Sequence, residues 1–294
     1  MNKARTRIRL WGLLSGLGAA SIWGVMYVVS KVVLDVIPPF SLVALRLILG
    51  ILTLLVVLFL RRRWTVTPGR FWRILGVGMV GYGISLGFQF VGTHLSTAAD
   101  GSLVTSATPA FVLLFAAILL AEKITLRSFL ALLIATLGVV AVIDPRTAQG
   151  SPSLFWGNLF LVAAALTWAL YSVLIRMVTR STDVLSTTLI ALAGGLPICL
   201  PLAGWEAVTQ GYGKISLAIV GGVLFLGIIS TALAMYLWNN AFALLDAGLA
   251  SLTFFAQPVV GVLLSALFLK EPITPLFILG GVLIAIALLI SSRV

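Results

Sequence analysis

The sequence is poor in everything a water-soluble protein needs at its surface. Only 9% of its 294 residues are charged, and just 8 are Asp or Glu; an ordinary soluble domain carries about a quarter charged residues. So few ionic side chains cannot clothe a globule of this size, which excludes soluble, disordered and fibrous classes. The single cysteine, Cys199, lies in an apolar run. No intrachain disulfide and no Cys-rich metal site can therefore form. The single histidine, His94, falls in what reads as a short loop and is expected to be solvated rather than a proton sensor. A Walker loop, an HExxH, a GxSxG and Asp-rich carboxylate pairs are all missing, so ATP-driven transport has no support. No cofactor, metal or enzymatic activity is expected.

What is present is apolar: 61% of residues are hydrophobic and mean hydropathy is +1.19. A helix needs about 20 mostly apolar residues to cross a bilayer. Ten such runs occur, at 11–30, 39–60, 73–92, 98–120, 128–143, 154–175, 184–202, 216–237, 247–269 and 275–290. They are continuous rather than alternating, which excludes barrel strands. The expected fold is an all-α polytopic membrane protein of ten transmembrane helices. Lys3, Arg5, Arg7 and Arg9 precede the first run and mimic a signal peptide, but the run is expected to stay uncleaved as a span. The net charge of +11 is not a nucleic-acid footprint, because the basic residues sit between apolar runs. Fourteen of the 19 Lys and Arg fall on one side of a ten-span arrangement and four on the other. This asymmetry predicts that both termini are cytoplasmic and that the chain resides in the cell (inner) membrane.

The two halves repeat each other. Gly12, Trp23 and Lys31 match Gly157, Trp168 and Arg176 at an offset of 145. The run at 108–125 matches 257–274 at an offset of 149, pairing Pro109 with Pro258, Glu122 with Glu271 and Thr125 with Thr274. The expected units are 1–146 and 147–294. Five spans per unit is odd, so the second enters the membrane from the opposite side. Two inverted repeats of this kind are the architecture of many secondary transporters.

With SIWG at 21–24 followed by Tyr27 and Lys31, LVALRLIL at 42–49 around Arg46, and the runs ending AEKIT and KEPIT, the chain resembles the ten-span EamA type of the drug/metabolite transporter superfamily. The resemblance covers essentially the whole sequence. It implies a carrier for small metabolites, often amino acids or related compounds and often working outward. It also implies a central cavity lined by spans one, three, four, six, eight and nine.

Candidate substrate contacts follow from polar and aromatic residues placed inside spans. Trp23 and Tyr27 share one helix face, and Trp168 and Tyr171 form the matching pair. An aromatic-lined cavity suits an apolar or aromatic cargo and can hold a cationic group by cation–π attraction; helix packing explains the same residues equally well. Gln89 with Tyr82, Thr108 and Gln257 beside Pro109 and Pro258, and Tyr236 with Asn239 and Asn240 complete the set. A polar group beside a proline either satisfies the carbonyl freed by the kink or faces cargo, and Asn239 and Asn240 would otherwise be interfacial caps. Arg46 is the basic residue well inside a span, and burial there costs at least ~2.5–3.5 kcal/mol. It is expected to form a structural ion pair with Asp100, with a cargo carboxylate as the lesser option. Glu122 and Glu271 are expected to serve the following helix starts, capped by Thr125 and Thr274. Gly76, Gly78 and Gly81 fit GxGxxG without a strand before them, and are expected, with Gly83 and Gly87, to allow close helix approach. No carboxylate falls at mid-span, which favours facilitated diffusion or exchange over ion coupling. The reading from another class is a membrane-embedded enzyme acting on lipid-linked substrates. It would need surface carboxylates or histidines that the loops scarcely offer. A non-transporting scaffold or receptor is the third reading. The partners expected are a small-molecule metabolite and the lipid bilayer, without nucleic acid; oligomeric state is left open.

Overall fold

The protein is described from a computed structural model covering residues 3–61, 68–120, 126–143, 151–179 and 182–291. Among these residues every regular element is helical. In chain order they are α1 (Lys3–Leu34), α2 (Pro39–Arg61), α3 (Gly69–Leu95), α4 (Ala98–Leu120), α5 (Leu126–Ile143), α6 (Pro152–Thr179), α7 (Val184–Thr209), α8 (Leu217–Leu244), α9 (Ala247–Leu269) and α10 (Pro275–Ser291). Among the described residues eight of them, α1–α4 and α6–α9, are long and apolar enough to cross a membrane.

The chain marks its own helix starts. Pro39, Pro152 and Pro275 open α2, α6 and α10, where a missing N–H costs nothing. Thr97, Asp183, Ser216 and Thr274 each accept a backbone N–H three residues on, the N-cap geometry. Thr274 thus caps α10 as expected. Glu271 acts elsewhere: its carboxylate accepts the N–H groups of Ala98 and Ala99 at 2.8 Å and so closes the start of α4. Glu206, in a last turn of α7 that the sequence reads as a connection, does the same for Phe40 and Ser41 of α2. Glu122 and Thr125 lie outside the described residues.

Among the described residues three helices contain π-helical segments, Ser265–Leu269 in α9 and, at matching places, Met79–Ser85 in α3 and Phe225–Leu233 in α8. Such segments leave carbonyls without their usual partners and gather at functional sites.

Packing follows a consistent pattern. α1 lies along α8 and α9, and α6 lies along α3 and α4. α2 crosses α8, α7 crosses α3, and α2 meets α7. α5 and α10 run side by side, with Gly138 and Gly280 each facing the other's backbone carbonyl. Gly78 stands against the Ala191 backbone, Gly81 against the Tyr171 ring, Gly83 against Ile198 and Gly87 against Phe40. The GxGxxG glycines from Gly78 onward are therefore contact points between helices, where no side chain fits.

At one end of the bundle Lys31 donates to the carbonyls of Thr93, His94 and Ser96. His94 itself is in the last turn of α3 rather than in a loop, and is exposed. At the other end Arg176 pairs with Asp246 at 3.1 Å, and Asn240 donates to Ser15.

Candidate functional site

A cavity lies where six helices converge. α1 contributes Trp23, Met26 and Tyr27, and α3 contributes Ser85, Leu86 and Gln89. Thr105 and Thr108 come from α4; Ala164, Ala165 and Trp168 from α6; Met235 from α8; Phe254 and Gln257 from α9. No carboxylate is among them. Side chains nearly fill the space in this conformation. About 20 Å³ is open to a water-sized sphere, room for about one water, so the walls must part before a metabolite fits.

Aromatic rings form the floor. Trp23 and Trp168 meet edge to face, centroids 5.5 Å apart. Trp23 also packs on Trp238 at 5.3 Å and Phe254 at 5.7 Å, and Trp168 packs on Tyr171 at 4.7 Å and Tyr82 at 5.9 Å. Offset and T-shaped pairs of this kind add about 0.5–1.5 kcal/mol each beyond area burial.

The polar atoms sort into committed and uncommitted. Thr105 donates to the Gly101 carbonyl, and its oxygen accepts Gln257 at 2.7 Å and meets the Tyr27 hydroxyl at 2.8 Å. Thr108 donates to the Thr105 carbonyl at 2.6 Å, the carbonyl that Pro109 deprives of a partner. Gln257 does not serve its own proline kink; it reaches across to α4. The Trp23 indole N–H donates to the Ser230 carbonyl in the π segment of α8. Two groups stand out against this. The Trp168 indole N–H is buried without a partner. Among the described residues the Gln89 amide nitrogen has only the Met26 sulfur, at 3.8 Å. Ser30 Oγ is the other buried polar atom without a partner among the described residues; it does not line the cavity.

Of the sequence candidates, Trp23, Tyr27, Gln89, Thr108, Trp168 and Gln257 thus reach the cavity wall. Tyr82, Tyr171 and Asn239 lie beyond the rings instead. The two tyrosine hydroxyls are 2.6 Å apart, Tyr171 donates to Asn239 at 2.9 Å, and Asn239 donates to Thr188 at 3.0 Å. Asn239 and Asn240 are buried and cap no helix end. Tyr236 is half-buried and outside the lining.

Arg46 and Asp100 do not pair. α2 turns Arg46 toward α8, where its Nε donates to Thr231 Oγ1 at 2.7 Å and Nη2 to the Ser230 carbonyl and hydroxyl at 3.4 and 3.3 Å. Its guanidinium carbon stands 4.8 Å from the Phe90 ring centroid, and Nη1 points at Met26 Sδ, 3.4 Å away. Asp100 sits in the first turn of α4 facing α6, where Ser96 and Asn158 donate to it at 3.0 and 3.2 Å.

Met26, Thr105, Trp238 and Phe254 escape a reading of the sequence. In a span, an apolar or hydroxyl side chain looks the same whether it faces lipid or a neighbour, so only large polar residues stand out. Trp238 carried one signal, its place beside Asn239 and Asn240.

The profile of the EamA-like transporter family matches the chain twice, over residues 10–143 and 155–293. An uncharacterized transporter of Bacillus subtilis (strain 168), YetK, is 27% identical over 86% of this chain and 78% of its own. A probable amino-acid metabolite efflux pump of Salmonella typhimurium is 25% identical over 92% and 91%, and its Escherichia coli K12 namesake is 25% identical over the same shares. A solved crystal structure with 22% identity superimposes with a TM-score of 0.70 over 96% of each chain, a likeness of fold. With both halves matched by one profile and the cavity between them built from six long apolar helices, the chain belongs to the EamA-like transporter family, a multi-pass membrane transporter of the drug/metabolite type.

Proposed function

We propose that the protein is a secondary carrier that moves a small amphipathic metabolite, such as an amino acid or a related compound, outward across the inner membrane. In this reading ten helices form two inverted halves, 1–146 and 147–294, with both termini in the cytoplasm. The halves exchange conformations so that one buried site faces each side in turn. The observation that carries it is the aromatic cavity itself: Trp23 and Trp168, matched in the two halves, touch at its floor.

The packing supports the same reading. Exchanging each helix for its counterpart in the other half turns the α1–α8 contact into α6–α3, and the α2–α8 contact into α7–α3. The π segments of α3 and α8 exchange likewise. The names of the efflux-pump relatives support a metabolite leaving the cell.

Counterflow into proteoliposomes tests this. Vesicles preloaded with an unlabelled amino acid or related acid should accumulate the labelled compound transiently and saturably. Trp23→Ala or Trp168→Ala should slow it without blocking membrane insertion. Unchanged kinetics in both variants would make the rings packing alone. Uphill accumulation driven by a pH step would replace exchange with proton coupling. Labelling of cysteines placed at the two chain ends should mark both from the same face.

A further inference from the structure

We infer that Arg46 selects the charge of the cargo: the site takes its ligand through a carboxylate, and an ammonium group on that ligand is dispensable. This rests on the carrier site proposed above, and names what that site recognises.

Arg46 is fully buried in α2, at a depth where an uncompensated cation is expensive and is ordinarily paired. Among the described residues it meets no carboxylate. Its partners are a threonine hydroxyl, a serine hydroxyl and carbonyl, a thioether and an aromatic face. Among the described residues the guanidinium is therefore a fixed positive charge without a counter-ion.

Its nitrogens are not equivalent. Nε and Nη2 hold α8 through oxygen acceptors. Nη1 has only Met26 Sδ, and a thioether is a weak acceptor. Met26 lines the cavity. Its side chain is unbranched and readily changes rotamer, so its displacement brings Nη1 to the cavity wall. A ligand oxygen there replaces sulfur with a charge-assisted acceptor.

Two other uncommitted donors belong to residues of the lining. The Trp168 indole N–H is buried, unpartnered and on the same cavity wall. The Gln89 amide nitrogen also ends on Met26 Sδ. An ammonium finds no carboxylate on the lining. It meets only neutral oxygens and ring faces there, and the Arg46 charge behind Met26 repels it through a medium of low dielectric.

The test is ligand binding to the purified full-length protein in nanodiscs, read by tryptophan fluorescence. Two matched sets serve as probes: 3-phenylpropanoate, phenylalanine and 2-phenylethylamine; and 4-methylpentanoate, leucine and 3-methylbutylamine. In at least one set, the acid and the amino acid should bind with similar affinity and the amine roughly tenfold or more weaker. Arg46→Gln should weaken the acid roughly tenfold to a hundredfold, and Arg46→Lys should keep the preference for the acid. The comparison within each set on the unaltered protein stands even where Arg46→Gln fails to fold.

An amine that binds as tightly as its acid in every set whose acid binds, an acid unaffected by Arg46→Gln in folded protein, or no binding of either acid overturns the inference. Counterflow with the same compounds separates it from the carrier reading. Acids that bind without flux remove the carrier and leave the role of Arg46. Amines that are carried while acids are not do the reverse.

Discussion

Two helix crossings flank the cavity, and they differ in one residue type that matters. Where α2 crosses α8, Gly50 faces Thr231 and Gly227 faces Leu49; where α7 crosses α3, Gly195 faces Tyr82 and Gly78 faces the Ala191 backbone. Each crossing runs over a π segment. The offset of 145 that matches Trp23 with Trp168 matches Gly50 with Gly195 and Arg46 with Ala191. One crossing therefore carries a buried guanidinium where the other carries a methyl group. The shared glycines give both crossings their close approach, while the unshared side chain gives one of them a charge. In the repeat reading, shape is duplicated and polarity is not.

That contrast can be broken from either side. Ala191→Arg places a second cation at a crossing where Gly78 leaves no space, and the cost of inserting the charge, ~2.5–3.5 kcal/mol, adds to overpacking of about 1–3 kcal/mol. We expect little folded protein by size-exclusion chromatography. Gly78→Val comes next, because the added carbons meet the Ala191 backbone rather than a movable side chain. A loss of about 3 kcal/mol is expected, seen as a clear fall in thermal unfolding temperature. Gly50→Val, which meets the Thr231 side chain, should fall less.

Tyr171→Phe removes the donor to Asn239 and the partner of the Tyr82 hydroxyl, and should cost about 1–3 kcal/mol. Arg46→Met should have the smallest effect on stability. Thr231 keeps its bond to the Leu226 carbonyl and the Ser230 carbonyl keeps the Trp23 indole, so the Ser230 hydroxyl is the buried group that loses its bond. Exchange of a buried ion for an apolar side chain of similar volume is often neutral or stabilising. A thermal unfolding temperature at or above that of the unaltered protein, together with lost acid binding, would set Arg46 apart from the packing residues around it. A collapse as large as that of Gly78→Val would instead make the guanidinium a structural strut.

The sequence was informative where polarity is rare. Trp23, Tyr27, Trp168 and Gln257 stand out in apolar spans, and all four reach the cavity. It was less so where the deciding atom is a backbone carbonyl or a thioether. Nothing in LVALRLIL says that Arg46 will point at α8 rather than toward Asp100. Its partners are a carbonyl in the Phe225–Leu233 segment and a sulfur twenty residues upstream. Tyr236 was expected to share a functional face with Asn239 and Asn240. The inward face of that stretch is instead set by Met235, Trp238 and Asn239, which apolar periodicity cannot distinguish from a lipid-facing stripe. Glu271 was read as serving its own neighbourhood and instead closes the start of α4, a contact 172 and 173 residues away in sequence.

By itself the amino-acid order determined the membrane class, the helical rods and the matching of the two halves. Each of these follows from apolar length and from residues too costly to place in hydrocarbon by accident. Only the tertiary structure decided which side of each rod faces the cavity, which donors there remain uncommitted, and what surrounds the one guanidinium beside it. In a bilayer both faces of a helix are apolar, so inside and outside become distinguishable only when the helices meet.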